Sequence, residues 1–527
     1  MRFRLHSFLA LLACFLFWVA GQFFVPLLGI EADEAIFAGP LLNPRSWHYA
    51  IRVGHSHIAL MIMSYIGTLK TLLYLPMFRM FGPGVWTLRE PMLVAGAASI
   101  WLFYLLLRRV AGDSAALIGA VLLATDSLYL LTTCFDWGPV TLQHLLLISA
   151  VFLLVRFAQG PKAVGAERSL AGGCFVLGLA MWDKALAVWM ISGMAVAAVV
   201  VCWRPIRMLA TTRRVRIAAL WFFFGALPLV IFNVKTHLST FTGNVKRDPG
   251  AIGYKAAMLW NTVNGQGLFG YLTDEDWQTP SPHLPASAIG REAAGVAAAS
   301  GDPRHSLMLY GLILALLVAP FSGRAGRRIV AFCLIAGATA WVQMALTANT
   351  GGSVHHTILL WPLPTCIIAV SLAGAARHLR DAGTPVLVGV VAVLAASNLL
   401  VMNEYFVKMA RNGASVSWSD AIYPLAARLR ATPNDGIYTV DWGIEDGLRI
   451  LGRGRFALND TAFGMPDAGA LATGHLFVGR PSGTEVFQGH AAAVAKFAAG
   501  EGFHREDIDM VGDSYGRPTF EVYRFVK

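Results

Sequence analysis

The chain has 527 residues, of which 56% are hydrophobic and 14% are charged. Soluble globular domains are typically about 45–50% apolar and about 25% charged, so this composition excludes an ordinary soluble protein and a disordered polymer. The formal net charge is +11, but Lys and Arg stand in short groups at the ends of apolar runs. That distribution is typical of membrane-protein loops, so we expect a membrane protein and no nucleic-acid partner.

Apolar runs of about 20 residues, the length that crosses a bilayer, predict the membrane-spanning helices. Basic groups fall at alternate ends of these runs, which places the N terminus in the cytoplasm of a bacterial inner-membrane protein. A cleaved signal peptide is an alternative for the first run, because it has a basic start and the small residues Val19-Ala20-Gly21. The eleven predicted spans lie near 6–28, 88–107, 114–134, 140–156, 170–182, 185–203, 217–233, 306–322, 329–347, 357–376 and 384–402.

A further apolar stretch, residues 58–81, is long enough to span but would invert every later loop. It also carries Lys70 and Arg79, so we predict interfacial or re-entrant helices at the outer membrane face. The whole chain is then an α-helical polytopic membrane protein. Residues 1–403 form its transmembrane module, with outer loops at 29–87 and 234–305.

Residues 404–527 alternate short strand-like and helical runs. This alternation predicts a small soluble α/β domain. Because the last predicted span ends outside, we expect this domain in the periplasm.

Three groups of ionisable residues fall at the predicted outer ends of helices. Glu31, Asp33 and Glu34 follow the first helix, where the alternative is a solvated helix start that suits the helix dipole. Asp136 follows the third helix, where it could instead be a helix cap before Pro139. Asp183-Lys184 lies between two apolar helices, and an ion pair that closes a tight turn is the alternative there. Ionisable residues at membrane depth are costly and are therefore candidates for function.

Histidines form two further groups, His55-Ser56-His57 and His355-His356. Neither has convincing metal-ligand spacing, and the six cysteines have none, so we favour phosphate contacts or loop hydrogen bonds for the histidines. Asp507-Ile508-Asp509 imitates a metal-binding motif of nucleotide-sugar enzymes, but it has no nucleotide-binding context and is interpreted as a solvated surface.

The order of these features resembles the glycosyltransferase C superfamily, in the bacterial branch of aminoarabinose transferases and protein O-mannosyltransferases. The resemblance covers roughly residues 6–380. Its motifs, as they stand in this chain, are Asp33-Glu34-Ala35, Phe81-Gly82 with Leu88-Arg89-Glu90-Pro91, Asp136, Gly178-Leu179-Ala180 with Lys184, and His356 with Trp361-Pro362. The chain departs from the family where a (K/H)PPL run is usual, since His55-Ser56-His57-Ile58 takes that place. The tail matches nothing in the family.

The resemblance implies that a sugar passes from a polyprenyl-phosphate donor to a lipid, glycan or protein acceptor at the outer membrane face. Such displacement needs a base for the acceptor hydroxyl and a cation for the departing phosphate. On this interpretation Asp33 is the base, and Asp136 and Glu34 are the accompanying catalytic carboxylates. Lys184 and His356 face the donor phosphate, with Lys70 and His55 as weaker candidates.

The donor's lipid tail is expected in a groove between helices near residues 170–234. No metal ligands are assigned. A divalent metal stays an alternative because members of the superfamily differ in metal dependence, and no nucleotide cofactor is expected.

Two other functions remain alternatives. An oligosaccharide ligase or polymerase of another polytopic class would place its key residues in one large late loop, and the loop at 234–305 contains Lys235, His237, Lys246 and Arg247. A transporter or flippase of lipid-linked sugars would place ionisable residues near the bilayer midplane. Here those residues lie at the outer edge, and the sequence shows no two-fold internal repeat.

Overall fold

The computed structural model of the chain describes residues 2–43, 46–244, 246–275, 283–471 and 474–527. The predicted outer loop 234–305 therefore lies partly outside the described residues. The predicted boundary between residues 403 and 404 falls inside a long helix that continues to Asn412.

The first part of the chain forms one long helix followed by a compact outer segment. Its strands make an antiparallel three-stranded sheet in the order β1-β2-β3. The elements are α1 (Arg2–Phe24), α2 (Ala32–Ala35), a 3₁₀ helix (Ile36–Ala38), α3 (Gly39–Leu42), β1 (Tyr49–Val53), β2 (Ser56–Met63), β3 (Ile66–Gly67) and α4 (Leu69–Phe81).

This sheet corrects the prediction of helices throughout residues 58–81. Only the second half is helical, as α4, whereas Ser56–Met63 pairs with Tyr49–Val53. A short apolar run does not by itself distinguish a strand from a buried helix. Pairing decides it here, because Gly54 has φ +62° and allows the tight turn that brings the two strands together.

The central part of the chain is a series of long apolar helices. The predicted third span, 114–134, consists of two helices bent by 60° at Asp126. The Asp126 side chain accepts a hydrogen bond from the backbone N–H of Tyr129 and so begins the second of them. The helices are α5 (Val85–Ala111), α6 (Asp113–Thr125), α7 (Ser127–Cys134), α8 (Val140–Gln159), α9 (Ala166–Asp183), α10 (Ala187–Leu209) and α11 (Thr212–Lys235).

A loop region with three short helices precedes the last group of long helices. The elements are α12 (Ser239–Asn244), a 3₁₀ helix (Pro249–Ala251), α13 (Ile252–Val263), α14 (Ala288–Ala299), α15 (Met308–Val318), a 3₁₀ helix (Ala319–Ser322), α16 (Gly323–Leu346), α17 (Val354–Thr357), a 3₁₀ helix (Ile358–Leu360), α18 (Leu363–Ala376), a 3₁₀ helix (Arg377–Ala382) and α19 (Gly383–Asn412).

By length and composition, seven stretches of the described chain can cross a membrane, or eight if the bent pair α6–α7 counts as one. Two of these stretches, Met308–Leu346 and Val354–Asn412, have 39 and 59 residues. The first contains α15 and α16 and the second contains α18 and α19, which the prediction counts as separate spans. One crossing needs about 20 residues. The chain is thus a multi-pass helical membrane protein, and the number of eleven spans stays a prediction.

The tail folds as the predicted small α/β unit, around a five-stranded mixed sheet in the order β5-β4-β6-β8-β7. In this sheet β4 is parallel to both neighbours, whereas β8 is antiparallel to β6 and β7. The elements are a 3₁₀ helix (Val416–Trp418), α20 (Ile422–Ala431), β4 (Gly436–Thr439), α21 (Glu445–Leu451), β5 (Leu458–Asp460), a 3₁₀ helix (Ala468–Leu471), β6 (His475–Gly479), α22 (His490–Gly500), β7 (His504–Gly512) and β8 (Pro518–Val526).

Candidate active site

The acidic segment after α1 folds into the short helix α2. Glu31 caps this helix, because its buried carboxylate accepts hydrogen bonds from the N–H of Asp33 at 2.8 Å and of Glu34 at 3.3 Å. Burial and the charge of Asp33 raise the pKa of Glu31. The cap fixes Asp33 and Glu34 in one turn, so their side chains leave the helix in different directions.

Glu34 is committed to a buried ion pair with Arg89 of α5. The guanidinium donates to both carboxylate oxygens, from Nε at 2.7 Å and from Nη2 at 2.8 Å. Its nitrogens also donate to the carbonyl oxygens of Val25, Leu28 and Gly29. Such a bidentate pair orients both groups strongly. Glu34, predicted as a catalytic carboxylate, therefore joins the acidic segment to α5 and to the end of α1.

Asp33 has a different environment from its two acidic neighbours. Its side chain is half-buried rather than buried. Burial raises the pKa of Asp33 to about 6, and the positive charge of Lys184 opposes this rise. A carboxylate with this pKa is mostly ionised at neutral pH and can still accept a proton, as a general base requires.

Asp136 and Lys70 form a second buried pair. Asp136 Oδ2 lies 3.0 Å from Lys70 Nζ, which also donates to the backbone oxygen of Asp136 at 2.6 Å. The other carboxylate oxygen accepts from the N–H of Val140 at 2.8 Å and of Thr141 at 3.3 Å, at the start of α8. Asp136 is thus the helix cap considered as an alternative, and it also neutralises Lys70 of α4.

Lys184 lies in the turn between α9 and α10 and does not pair simply with its neighbour. Its Nζ donates to the carbonyl oxygen of Gly138 at 3.0 Å, while Asp183 accepts from the Gln143 amide at 2.9 Å. Burial lowers the pKa of Lys184 to about 8, although the charges of Asp33, Asp136 and Asp183 raise it. The backbone N–H of the next residue, Ala185, bonds to Tyr65 O at 2.9 Å. The connection between β2 and β3 thereby holds this turn.

The histidine pair lies beside Lys184, but His355 rather than His356 makes the shared contact. A Cβ at Gly138 would lie 3.1 Å from His355 Cδ2 and 3.2 Å from Lys184 Nζ. Trp137 Nε1 donates to His355 Nδ1 at 2.9 Å. The ring of His356 lies against that of His355, with centroids 4.0 Å apart. Gly138 leaves room for both side chains, a role that the sequence analysis of Asp136 and Pro139 did not predict.

An aromatic cluster connects three outer segments around this site. Trp137 packs against Tyr271 of the 234–305 loop and against Trp418 at the start of the tail, with centroids 5.3 and 5.7 Å away. Burial and the charges of Glu31 and Asp33 raise the pKa of Tyr271. Tyr271 therefore lies near the acidic segment. It is 39% exposed. Sequence reasoning missed these rings because single aromatic residues in long loops carry no motif.

The tail domain also reaches the acidic segment. A Cβ at Gly447 in α21 would lie 3.0 Å from the carbonyl oxygen of Ile30. Burial, the charge of Glu445 and, more weakly, that of Asp33 raise the pKa of Asp446 to about 7. Asp446 is thus a further carboxylate whose charge interacts with that of Asp33. The sequence indicated only that 444–451 is helical.

Other candidates lie apart from this cluster. His55 is exposed in the turn between β1 and β2. Asp507 and Asp509 lie on β7 at the edge of the tail sheet, where Asp507 pairs with Arg505 and Asp509 with Arg428. Among the described residues, no group of three or more His, Cys, Asp or Glu side chains is arranged to hold a metal ion.

Residues 72–232 match the family described as dolichyl-phosphate-mannose-protein mannosyltransferase. No curated protein matches the sequence at a significant level.

Similar solved structures cover nearly the whole chain. ArnT from Cupriavidus metallidurans bound to undecaprenyl phosphate has 14% identity and a TM-score of 0.56, over 98% of this chain and 97% of ArnT. The apo form of that protein has 13% identity and a TM-score of 0.58, with the same coverage. The Archaeoglobus fulgidus oligosaccharyltransferase in complex with Zn and sulfate has 11% identity and a TM-score of 0.51, over 88% of this chain and 67% of the oligosaccharyltransferase.

Fold and site together define a multi-pass membrane protein whose loops bring charged residues together at one end of its helices. More particularly, the chain shares the fold of ArnT over nearly its whole length, and the resemblance to the glycosyltransferase C superfamily predicted from its sequence motifs is confirmed.

Proposed function

We propose that the chain is a membrane glycosyltransferase that moves a sugar from a polyprenyl-phosphate donor to an acceptor hydroxyl at the outer face of a bacterial inner membrane. The observation that carries the proposal is Asp33, a half-buried carboxylate close to the buried cation Lys184. The ArnT structure bound to undecaprenyl phosphate supports the class of donor. Lipid, glycan and protein hydroxyls all fit the chemistry of the acceptor.

In the proposed reaction, the acceptor oxygen attacks the anomeric carbon of the donor sugar. The bond from that carbon to the phosphate oxygen breaks, and the polyprenyl phosphate leaves with the bonding electrons. Asp33 takes the proton of the acceptor hydroxyl, and Lys184 stabilises the negative charge that develops on the phosphate. Lys184 suits this role because its ammonium group, although buried, stays mostly charged at neutral pH with a pKa of about 8.

The other polar residues of the site position Lys184 or face the donor phosphate. Asp136 holds Lys70 and the first turn of α8, whose preceding loop contains the Gly138 carbonyl that orients Lys184. We assign His355 and His356 to the phosphate side, because His355 shares the space around Gly138 with Lys184. We leave His55 out, since it lies exposed in a strand turn.

A transfer assay tests the proposal directly. Purified full-length protein would be mixed with polyprenyl phosphates that carry different sugars, and the released polyprenyl phosphate would be measured. Asp33→Asn keeps the side chain's size but removes the proton acceptor. We expect it to lower turnover by about 10²–10⁴-fold and to leave donor affinity nearly unchanged.

Asp113→Asn, at the start of α6, is the matched control and should behave as wild type. Near-normal turnover in Asp33→Asn would show that another residue is the base. Release from none of the donors by folded wild-type protein would refute the proposed activity.

A further inference from the structure

At the end of the helices away from the candidate active site, an apolar groove separates two groups of helices. On one side α9 and α11 pack tightly, because a Cβ at Gly178 would overlap the carbonyl oxygen of Phe222. On the other side α10 packs on α16, where a Cβ at Gly193 would overlap the carbonyl oxygen of Ala336. The space between the groups has a volume of about 520 Å³, within the roughly 300–1,000 Å³ of typical ligand pockets.

The bend in α10 forms part of the groove wall. Pro205 has no N–H, so it cannot bond to the carbonyl oxygen of Val201, four residues earlier. Cys202 accordingly leaves helical geometry, with φ −120° and ψ 22°, and Arg328 donates to the free Val201 oxygen at 2.8 Å. Residues on both sides of this bend line the groove. Its shape is therefore built into the helix and stabilised by a partner on α16.

The lining is apolar, and one end carries a cation. Leu154, Phe157, Leu177, Met194, Ala198 and Phe332 are among the lining side chains. Arg214 also lines the groove, with its guanidinium 5.2 Å from the Phe157 ring centroid and one nitrogen bonded to the Pro161 oxygen at 2.9 Å. Four exposed arginines flank Arg214 in the sequence: Arg204, Arg207, Arg213 and Arg216.

The level of the groove in the bilayer follows from its neighbours. Trp203 is 54% exposed beside the first of these arginines, and exposed Trp next to basic residues marks a membrane–water interface. The groove thus begins at the interface on the arginine-rich side and extends into the apolar layer. Basic pockets between membrane helices are suited to anionic lipid headgroups.

We propose that this groove binds an anionic phospholipid of the leaflet on the arginine-rich side, with one acyl chain between α8–α9–α11 and α10–α16 and the headgroup phosphate near Arg214. The charge pattern selects this occupant. The donor's polyprenyl tail, which is expected from the sequence near residues 170–234, would fill the groove without using the arginines, because its own phosphate would lie at the opposite membrane face. The choice of a phospholipid over the polyprenyl tail rests on the proposed function, whereas the groove and the position of Arg214 do not.

Lipid retention by the full-length protein tests the site. The protein would be exchanged into micelles containing phosphatidylglycerol or phosphatidylcholine with identical acyl chains, and native mass spectrometry would count the retained lipids. Each arginine near a membrane surface favours an anionic lipid by about fivefold. Phosphatidylglycerol should therefore be retained in preference, and Arg214→Gln should reduce that preference by about fivefold. Arg109→Gln, an exposed residue at the same end of the helices that does not line the groove, should leave it unchanged.

A second pair of variants tests the acyl chain without changing charge. Ala195 lines the groove, so Ala195→Phe should displace the retained lipid. Val196 is 43% exposed on the neighbouring face of α10 and does not line the groove, so Val196→Phe should not. Equal retention of the two phospholipids by wild type would overturn the proposal. Loss of added polyprenyl phosphate, but not of phosphatidylglycerol, in Ala195→Phe would assign the groove to the carrier tail instead.

Discussion

Asp33 and Glu34 are adjacent in one helical turn, yet their carboxylates have opposite environments. Glu34 is 2% exposed and paired with a fully buried arginine, whereas Asp33 is half-buried and has a raised pKa. The sequence alone placed both in the catalytic group. Only the contact with Arg89 on α5, 55 residues from Glu34, distinguishes the two carboxylates.

The Glu34–Arg89 pair predicts a loss of stability rather than a loss of chemistry. Glu34→Gln leaves the Arg89 charge buried and without its carboxylate, and breaking a buried ion pair in this way costs about 3–5 kcal/mol. We expect a clearly lower unfolding temperature in detergent. Any folded fraction should keep the wild-type pH dependence of turnover.

Glu90→Gln is the matched control. Glu90 is the next residue of α5, and its half-buried carboxylate accepts a hydrogen bond from Trp18 at 3.0 Å instead of pairing with Arg89. It should lose much less stability. A stable but inactive Glu34→Gln would contradict the structural role and restore Glu34 as a catalytic candidate.

The pH dependence of turnover follows from the two groups of the proposed mechanism. Asp33 must be ionised to accept a proton, so kcat/KM should fall as the pH drops through its pKa of about 6. Lys184 must be charged, so kcat/KM should also fall as the pH rises through its pKa of about 8. The profile should be bell-shaped, with its maximum between these values.

Lys184→Arg distinguishes the two limbs of this profile. Arginine stays protonated at all accessible pH values, so the alkaline limb should disappear while the acid limb stays near pH 6. Retention of both limbs in this variant would show that the alkaline limb belongs to another group.

At the scale of elements, the long helices could be predicted from the sequence, whereas the β1-β2-β3 sheet could not. Apolar runs of about 20 residues define the long helices regardless of what they contact. Residues 58–63 are an apolar run too, but they become a strand because Tyr49–Val53 pairs with them and Trp182 donates to the Leu60 oxygen at 2.9 Å. Pairing of this kind depends on segments distant in the chain. For the same reason the contacts of Lys184 and His355 with the Gly138 loop could not be inferred from spacing.

The close contact between β3 and the end of α9 gives a prediction for the sheet. A Cβ at Gly67 would overlap the carbonyl oxygen of Trp182, and Ile66 bridges to Lys184. Gly67→Ala should therefore push β3 away from the turn and move Lys184. We expect about 1–3 kcal/mol of destabilisation from overpacking and a raised KM for the donor.

The measurements are thermal unfolding in detergent and the transfer assay at varied donor concentration. Gly253→Ala is the control, because a Cβ at Gly253 in α13 would meet no atom within 4 Å. Wild-type KM and stability in Gly67→Ala would show that the sheet does not position Lys184.

At the scale of the whole molecule, the contacts within the site restrict the membrane topology. Ile30 before α2 touches Gly447 in the tail, so both lie on one side of the membrane and an even number of crossings must separate them. The same argument applies to each pair of successive site residues along the chain: both lie on one side of the membrane, so an even number of crossings separates them. In the eleven-span prediction, α5 and the bent pair α6–α7 separate Asp33 from Asp136. Likewise α8 and α9 separate Asp136 from Lys184, and α10 and α11 separate Lys184 from Tyr271. Then α15 and α16 separate Tyr271 from His355, and α18 and α19 separate His355 from Trp418.

These five pairs of helices account for ten predicted crossings, and α1 is the eleventh predicted span. Reporter fusions test it. Fusions after residues 160, 210 and 325 should report the cytoplasm, and a fusion after residue 420 should report the periplasm. Residues 160 and 210 are the most informative positions, because each lies between the two helices of one pair. A periplasmic signal at either position would break the pairing and remove Lys184 from the side of the membrane that holds Asp33.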